Sequence, residues 1–110
     1  MTAVPPPCPA CGAALLPDPR YPGRFCNDCL TGRATDHAGT PLTFVEDMRA
    51  AIGWQKAGDS GWTPAVTIRC LIAGQPATVH AARFGGIVAL PADSTAMPRH
   101  GQQTDLTRPT

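Results

Sequence analysis

The chain is poor in aromatic residues, with three Phe, two Trp and one Tyr in 110 positions. So few large rings leave little material for a wide apolar core, and a chain this small buries a modest share of its surface. It also lacks an excess of charge. Nine Lys and Arg stand against eight Asp and Glu, which excludes the sequence-wide basic field that draws proteins to nucleic acid or anionic lipid. No apolar run approaches the ~20 residues of a membrane-spanning helix. The opening MTAVPPP has neither a basic nor an apolar stretch, so it does not resemble a secretory leader, and a cytoplasmic protein is expected. Also missing are a Ser/His/Asp set, paired carboxylates and a phosphate loop, so an enzyme is not expected.

Proline, glycine and cysteine are plentiful instead, at 13, 11 and five residues. An odd cysteine count argues against a fully paired disulfide framework, and in a reducing compartment CxxC pairs bind metal or perform redox work. Four of the cysteines form two such pairs, Cys8-Pro9-Ala10-Cys11 and Cys26-Asn27-Asp28-Cys29. Two intervening residues let the backbone curl so that both sulfurs reach one ion. Gly12 suits a positive φ that closes the first turn. Two such turns supply a tetrahedral shell of four thiolates with Zn–S near ~2.3 Å. The 14 residues between the pairs fall just under the roughly 15–20 typical of paired CxxC zinc sites. Four thiolates and one divalent cation would take the formal charge from +1 to −1.

At residues 8–30, CPACG…CNDC resembles the zinc-ribbon superfamily, in which two cysteine-bearing knuckles on β-hairpins grip a structural zinc. The first knuckle matches its CPxCG pattern; the second departs from it, with Leu30 where a glycine is common. The resemblance implies Cys8, Cys11, Cys26 and Cys29 as ligands of structural Zn2+, with iron as the lesser alternative. A thioredoxin-like role for CPAC would need a strand before it and a helix after it. The flanks PPP and GAALLPDP offer neither. A catalytic metal would need an open position, and four thiolates close the shell.

Composition divides the rest. Residues 1–7 form a Pro-rich arm, residues 8–91 a single compact domain and residues 92–110, polar and aperiodic, a flexible tail. Ala13 to Leu16 and Arg24-Phe25 are expected to pair as a hairpin between the knuckles. Asp36 to Gly39 is expected to turn. Over 41–52 two patterns compete. Leu42, Phe44 and Glu46 alternate as in a strand, while Thr43 and Glu46 match a capping box and Phe44, Met48 and Ile52 share a helical face. The preferred expectation is a short helix over about 44–52. Val66 to Ile72 and Ala77 to Ala82 predict a hairpin, and Ile87 to Leu90 a third strand. The fold class is therefore small, mostly β and metal-stabilised: an N-terminal zinc ribbon packed with a short antiparallel sheet and one short helix.

Outside the cysteine pairs the candidates are few. Cys70, mid-strand, is expected to be a small buried hydrophobe. His37 could replace one thiolate, but with four cysteines available it is expected to be exposed; His80 is expected to face solvent or satisfy a backbone group, and His100 belongs to the tail. Arg83, Gly85 and Gly86 form either a tight turn, the preferred reading, or an anion-binding turn. Trp54 and Trp62 are expected to cover the sheet. The favoured function is a protein-binding or adaptor module that uses the ribbon and the adjoining sheet edge. The alternative is a nucleic-acid-binding ribbon, with Arg20, Arg24 and Arg33 on phosphates and Tyr21 or Phe25 stacking, although Asp18, Asp28 and Asp36 lie among those arginines.

Overall fold

The structure is a computed structural model that describes residues 7–15, 21, 23–47, 51–82, 86–92 and 103–108. Its elements are a short helix, α1 (Asn27–Gly32), and the strands β1 (Ala34–Thr35), β2 (Leu42–Asp47), β3 (Ala51–Lys56), β4 (Thr63–Ala65), β5 (Thr67–Ile72), β6 (Gln75–Ala81), β7 (Ile87–Pro91) and β8 (Gln103–Asp105). One sheet runs β1-β5-β6-β7, with β8 added to β5; the other runs β2-β3-β4. The molecule is mostly β and antiparallel, as the alternating patterns imply, and β8 alone pairs in parallel. No helix among the described residues is long and apolar enough to cross a membrane.

The β5–β6 hairpin is the centre of the larger sheet. Ile68, Cys70 and Ile72 alternate along β5 and are fully buried, and Ile68 and Cys70 face Val79 and Ala77 of β6. The turn is shorter than the four residues expected from the sequence. Ile72 pairs directly with Gln75, leaving Ala73 and Gly74 at φ 51° and 80°. Two positive φ values match the twist of the flanking strands, and the hairpin accepts about 1 kcal/mol of strain at Ala73 in return. The third predicted strand is β7, in register with β6 from Ala81↔Ile87 to Ala77↔Pro91.

The expected helix over 44–52 is a hairpin instead. β2 and β3 pair from Leu42↔Lys56 to Asp47↔Ala51. Phe44 and Ile52 satisfy a helical face and a strand alternation equally well. The strand wins because it sets Phe44 opposite Trp54, with Phe44, Trp54 and Ile52 all packed into the common core. Glu46, the supposed capping residue, accepts a hydrogen bond from the Gly86 amide. Met48 lies outside the described residues. The region expected to be a flexible tail also contributes structure. β1 covers only Leu71 and Ile72 of β5, so the backbone groups of residues 67–69 need another partner. β8 supplies it, and Leu106 then donates to the Arg69 carbonyl while accepting from His37, each at 2.8 Å.

Leu42, Ile52 and Ala65 of the smaller sheet meet Ile68, Cys70, Ile72, Ala77, Val79 and Ala89 of the larger in one core. Cys8, Phe25, Cys29 and Leu30 of the N-terminal segment join the same cluster. The expected turn at 36–39 is present, and its first residue is unusual. Asp36, 2% exposed, accepts the amides of Ala38 and Thr40 at 2.9 and 3.0 Å. It also pairs with Lys56 Nζ at 3.3 Å, which ties the end of β1 to the end of β3 and so joins the two sheets.

Candidate metal centre

The first cysteine pair sits on a tight turn. Gly12 donates to the Cys8 carbonyl at 2.9 Å and Cys8 to the Ala13 carbonyl at 3.0 Å. Gly12 has φ 76°, the left-handed value its position required. The second pair is built differently from a ribbon knuckle. Cys26 is the N-cap of α1 and Cys29 lies within the helix, so the two sulfurs are offered from the helix's first turn. Leu30 explains the change. It has a side chain to bury, is 4% exposed, and donates to the Cys26 carbonyl at 3.0 Å, so the chain coils where a glycine would turn away. Residues 13–15 and 24–26 lie in no strand, and the hairpin expected between the knuckles is not formed by them; residues 16–20 and 22 lie outside the described set.

The four sulfurs of Cys8, Cys11, Cys26 and Cys29 all fall within 4.8 Å of one another. Tetrahedral Zn–S bonds of about 2.3 Å place sulfurs about 3.8 Å apart. The Cys11 and Cys26 sulfurs, at 3.6 Å, already stand at that separation, so the donor set fits a four-coordinate ion. The environment is graded, with Cys8 and Cys29 buried, Cys26 half-buried and Cys11 exposed. Burial pushes the Cys8 thiol up, but the facing amides of Cys26, Cys11 and Ala10 outweigh it and lower it to about 6. One of these amides, that of Cys26, donates to the Cys8 sulfur at 3.3 Å. Cys29 is pushed up to about 12, by burial first and then by the neighbouring sulfurs. The cluster thus favours a thiolate at Cys8 and resists one at Cys29 until a cation joins it.

The knuckles are seated on the larger sheet by single hydrogen bonds. Gln75 donates its side-chain amide to the Pro9 carbonyl at 2.9 Å, and Phe25 its backbone N–H to Ala89 of β7 at 2.9 Å. Ala73 donates to the Arg33 carbonyl at 3.1 Å. Cys70 is not one of the four grouped sulfurs: it is fully buried in the apolar core, its thiol pushed up to about 12 by burial alone. Cys70→Ala is expected to cost about 1 kcal/mol and Cys70→Ser about 2 kcal/mol, since serine buries an unpaired hydroxyl. Denaturant titrations measure the order, and both variants should bind one metal ion per chain.

The other sequence candidates scatter. Arg24, half-buried, lines a small cleft of about 140 Å3 with Tyr21, Ile87 and Val88. Arg33, exposed, follows α1 and precedes β1. Since β1 and β7 are the two ends of the strand order, these arginines sit at opposite margins of the larger sheet. Arg20, Arg83 and Gly85 lie outside the described residues. The Gly86 amide, which an anion-binding turn would offer to a ligand, is taken by the Glu46 carboxylate. Trp54 packs on the core, while Trp62 is 47% exposed. His80 is buried and meets the second of its two expectations, a ring nitrogen set against a backbone carbonyl. Its Nδ1 lies 3.0 Å from the Ala81 carbonyl and its ring leans on Tyr21, centroids 5.9 Å apart.

The fold and site define a small, mostly β protein with a four-cysteine cluster able to hold a metal ion. Among protein-family models, curated proteins and solved structures, none matches this chain.

Proposed function

We propose that the chain is a zinc-stabilised protein-binding module that takes up an extended peptide segment of another protein. The observation that supports this reading is a groove of about 320 Å3 between α1, β2 and the start of β7, with Leu30, Phe44, Val45 and Ile87 in its lining. Among the described residues β2 pairs on one side only, with β3, and its other edge offers unpaired backbone groups beside the groove. An extended peptide meets both needs, adding a strand to the edge while alternate side chains enter the groove. The metal bears on this directly. Cys26 caps α1 and Cys29 lies within it, so the ion fixes the helix whose Asn27, Leu30 and Thr31 wall the groove. Zinc is the metal proposed, as a closed four-thiolate shell suits a structural role.

The test is selection of displayed peptides on the zinc-loaded full chain, followed by binding measurements with the selected peptide. Thr31→Arg and Val45→Arg, at exposed positions in the groove, should each weaken binding at least tenfold, and the bound peptide should shift the amides of residues 43–46. Failure to enrich any peptide, or affinity unchanged in both variants, would reject the reading.

A further inference from the structure

The outer face of the β5–β6 hairpin carries polar side chains where an apolar or solvated surface would be ordinary. Thr67 faces His80 across the pair, and Arg69 faces Thr78 one step along. Because side chains alternate, the four stand on one face as a two-by-two array, about 5 Å across the strands and about 7 Å along them. Thr67, Thr78 and His80 are 1%, 0% and 6% exposed. The hydroxyls of both threonines, Nε2 of His80 and Nε of Arg69 are buried and make no hydrogen bond. Among the described residues five buried side-chain polar atoms lack a partner, and these are four of them. Native proteins rarely leave one such group unpaired, let alone four together.

The array has a definite chemical character. Arg69 supplies a cation whose buried Nε has no hydrogen-bonding partner, which selects an anion over water. Asp105 of β8, its register neighbour, attracts the guanidinium, but it takes its hydrogen bonds from Thr107, both on Oδ1, and Nε of Arg69 is left without an acceptor. The threonines can donate or accept. His80 Nδ1 faces the Ala81 carbonyl, which places the ring proton there and leaves Nε2 as an acceptor. The missing partner therefore has several acceptor oxygens and one donor hydroxyl within a few ångströms. Arg69, alone of the four, also lines an open cleft of about 480 Å3 with Gln75, Pro76, Pro91 and Ala92, which opens the Arg69 end of the array to solvent and leaves space there for a substituent.

We propose that this face binds a hydrogen phosphate group, free or as a monoester. Arg69 and the two threonine hydroxyls donate to its oxygens, and its P–OH donates to Nε2 of His80. The site lies on the hairpin's outer face, across the sheet from the core-facing Ile68, Cys70 and Val79, and is independent of the peptide groove and of the metal.

Inorganic phosphate titrated into the zinc-loaded full chain at constant ionic strength is the test, read by NMR at the His80 ring and the amides of Thr67, Arg69 and Thr78. Saturable shifts confined to this face are expected, with phosphate binding at least tenfold more tightly than sulfate, which carries no donor hydroxyl. A simple alkyl phosphate that saturates the same signals and also shifts Pro76 and Ala92 would assign the monoester form; inorganic phosphate alone would assign the free ion. Arg69→Gln and Thr78→Val should each abolish saturation while retaining one zinc per chain. Shifts that never saturate, or that sulfate reproduces at equal concentration, would overturn the proposal on the native chain alone, whether or not the variants fold. So would an unchanged response in a folded Thr78→Val, which would make the array a hydrated sheet face.

Discussion

Stripping the metal from the full chain is expected to abolish its cooperative thermal transition, or to lower the midpoint by more than about 20 °C. The reason is a comparison of magnitudes. A structural four-cysteine zinc site contributes about 10–16 kcal/mol of binding free energy near neutral pH, whereas a domain of this size keeps roughly 5–15 kcal/mol of net stability. Few contacts remain to hold the N-terminal segment once the ion is gone. The first knuckle keeps its own turn and the bond from Gln75 to Pro9 and Phe25 its bond to Ala89, while Leu30 keeps its place in the core only as long as α1 stays formed. A six-residue helix is too short to persist by itself. The two buried cysteines also sit in the shared core, so detachment of the N-terminal segment would strip packing from that core. Calorimetry with and without a chelator, beside metal analysis showing one ion per chain, measures the effect. An unchanged melting curve after complete removal would rule the structural site out.

The four ligands should not be equivalent. Cys29→Ser removes a donor and also buries a hydroxyl at a position 2% exposed, so it should abolish metal retention and cooperative melting together. Cys11→Ser changes an exposed ligand and leaves three sulfurs in place. It should weaken retention strongly while leaving a metal-loaded fold detectable at excess zinc. Equal behaviour of the two serine variants would argue that burial in the cluster has no energetic weight.

The cysteine pairs are legible in the sequence because a CxxC turn is local and its chemistry depends on spacing alone. The helix that begins at the second pair is harder to read. α1 contributes one large apolar side chain, Leu30, to a helix of six residues, and no periodicity can announce so short an element. Its only signal is the missing glycine at position 30. Residues 44–52 fail for the opposite reason. Two periods fit, and only the pairing of Phe44 with Trp54, 10 positions away, decides between them. β8 has no local signal, since Gln103-Thr104-Asp105 forms a strand only because an edge of β5 stands open to it. The buried polar array depends on register. A four-residue turn at 73–76 would set Arg69 opposite His80, whereas the observed two-residue turn sets Thr67 there. Local chemistry was therefore readable and long-range pairing was not.

Asp36→Ala is expected to cost about 3 kcal/mol, and Asp36→Asn about 1 kcal/mol. The alanine variant leaves the Ala38 and Thr40 amides without their acceptor and loses the ion pair to Lys56, whereas asparagine keeps an oxygen for both amides. Lys56 is 40% exposed, so water screens its share and the amide bonds carry most of the difference. The pH dependence separates this carboxylate from the metal site. Burial pushes the Asp36 carboxyl up, but the Thr40 and Ala38 amides and the Lys56 ammonium outweigh it and hold it below its ordinary value of 3.8. A group lowered on folding stabilises the native state fully above its unfolded value and loses that contribution only as pH falls through the folded one. Thiolates bound to a metal take up protons at higher pH than this, so the ion leaves first as acid is added. The stability gap between wild type and Asp36→Asn should accordingly stay flat from about pH 8 to about pH 5 in denaturant titrations of the metal-loaded proteins. A gap that narrows within that window would show that Asp36 titrates near neutrality, which the two amides and the ammonium around it do not permit.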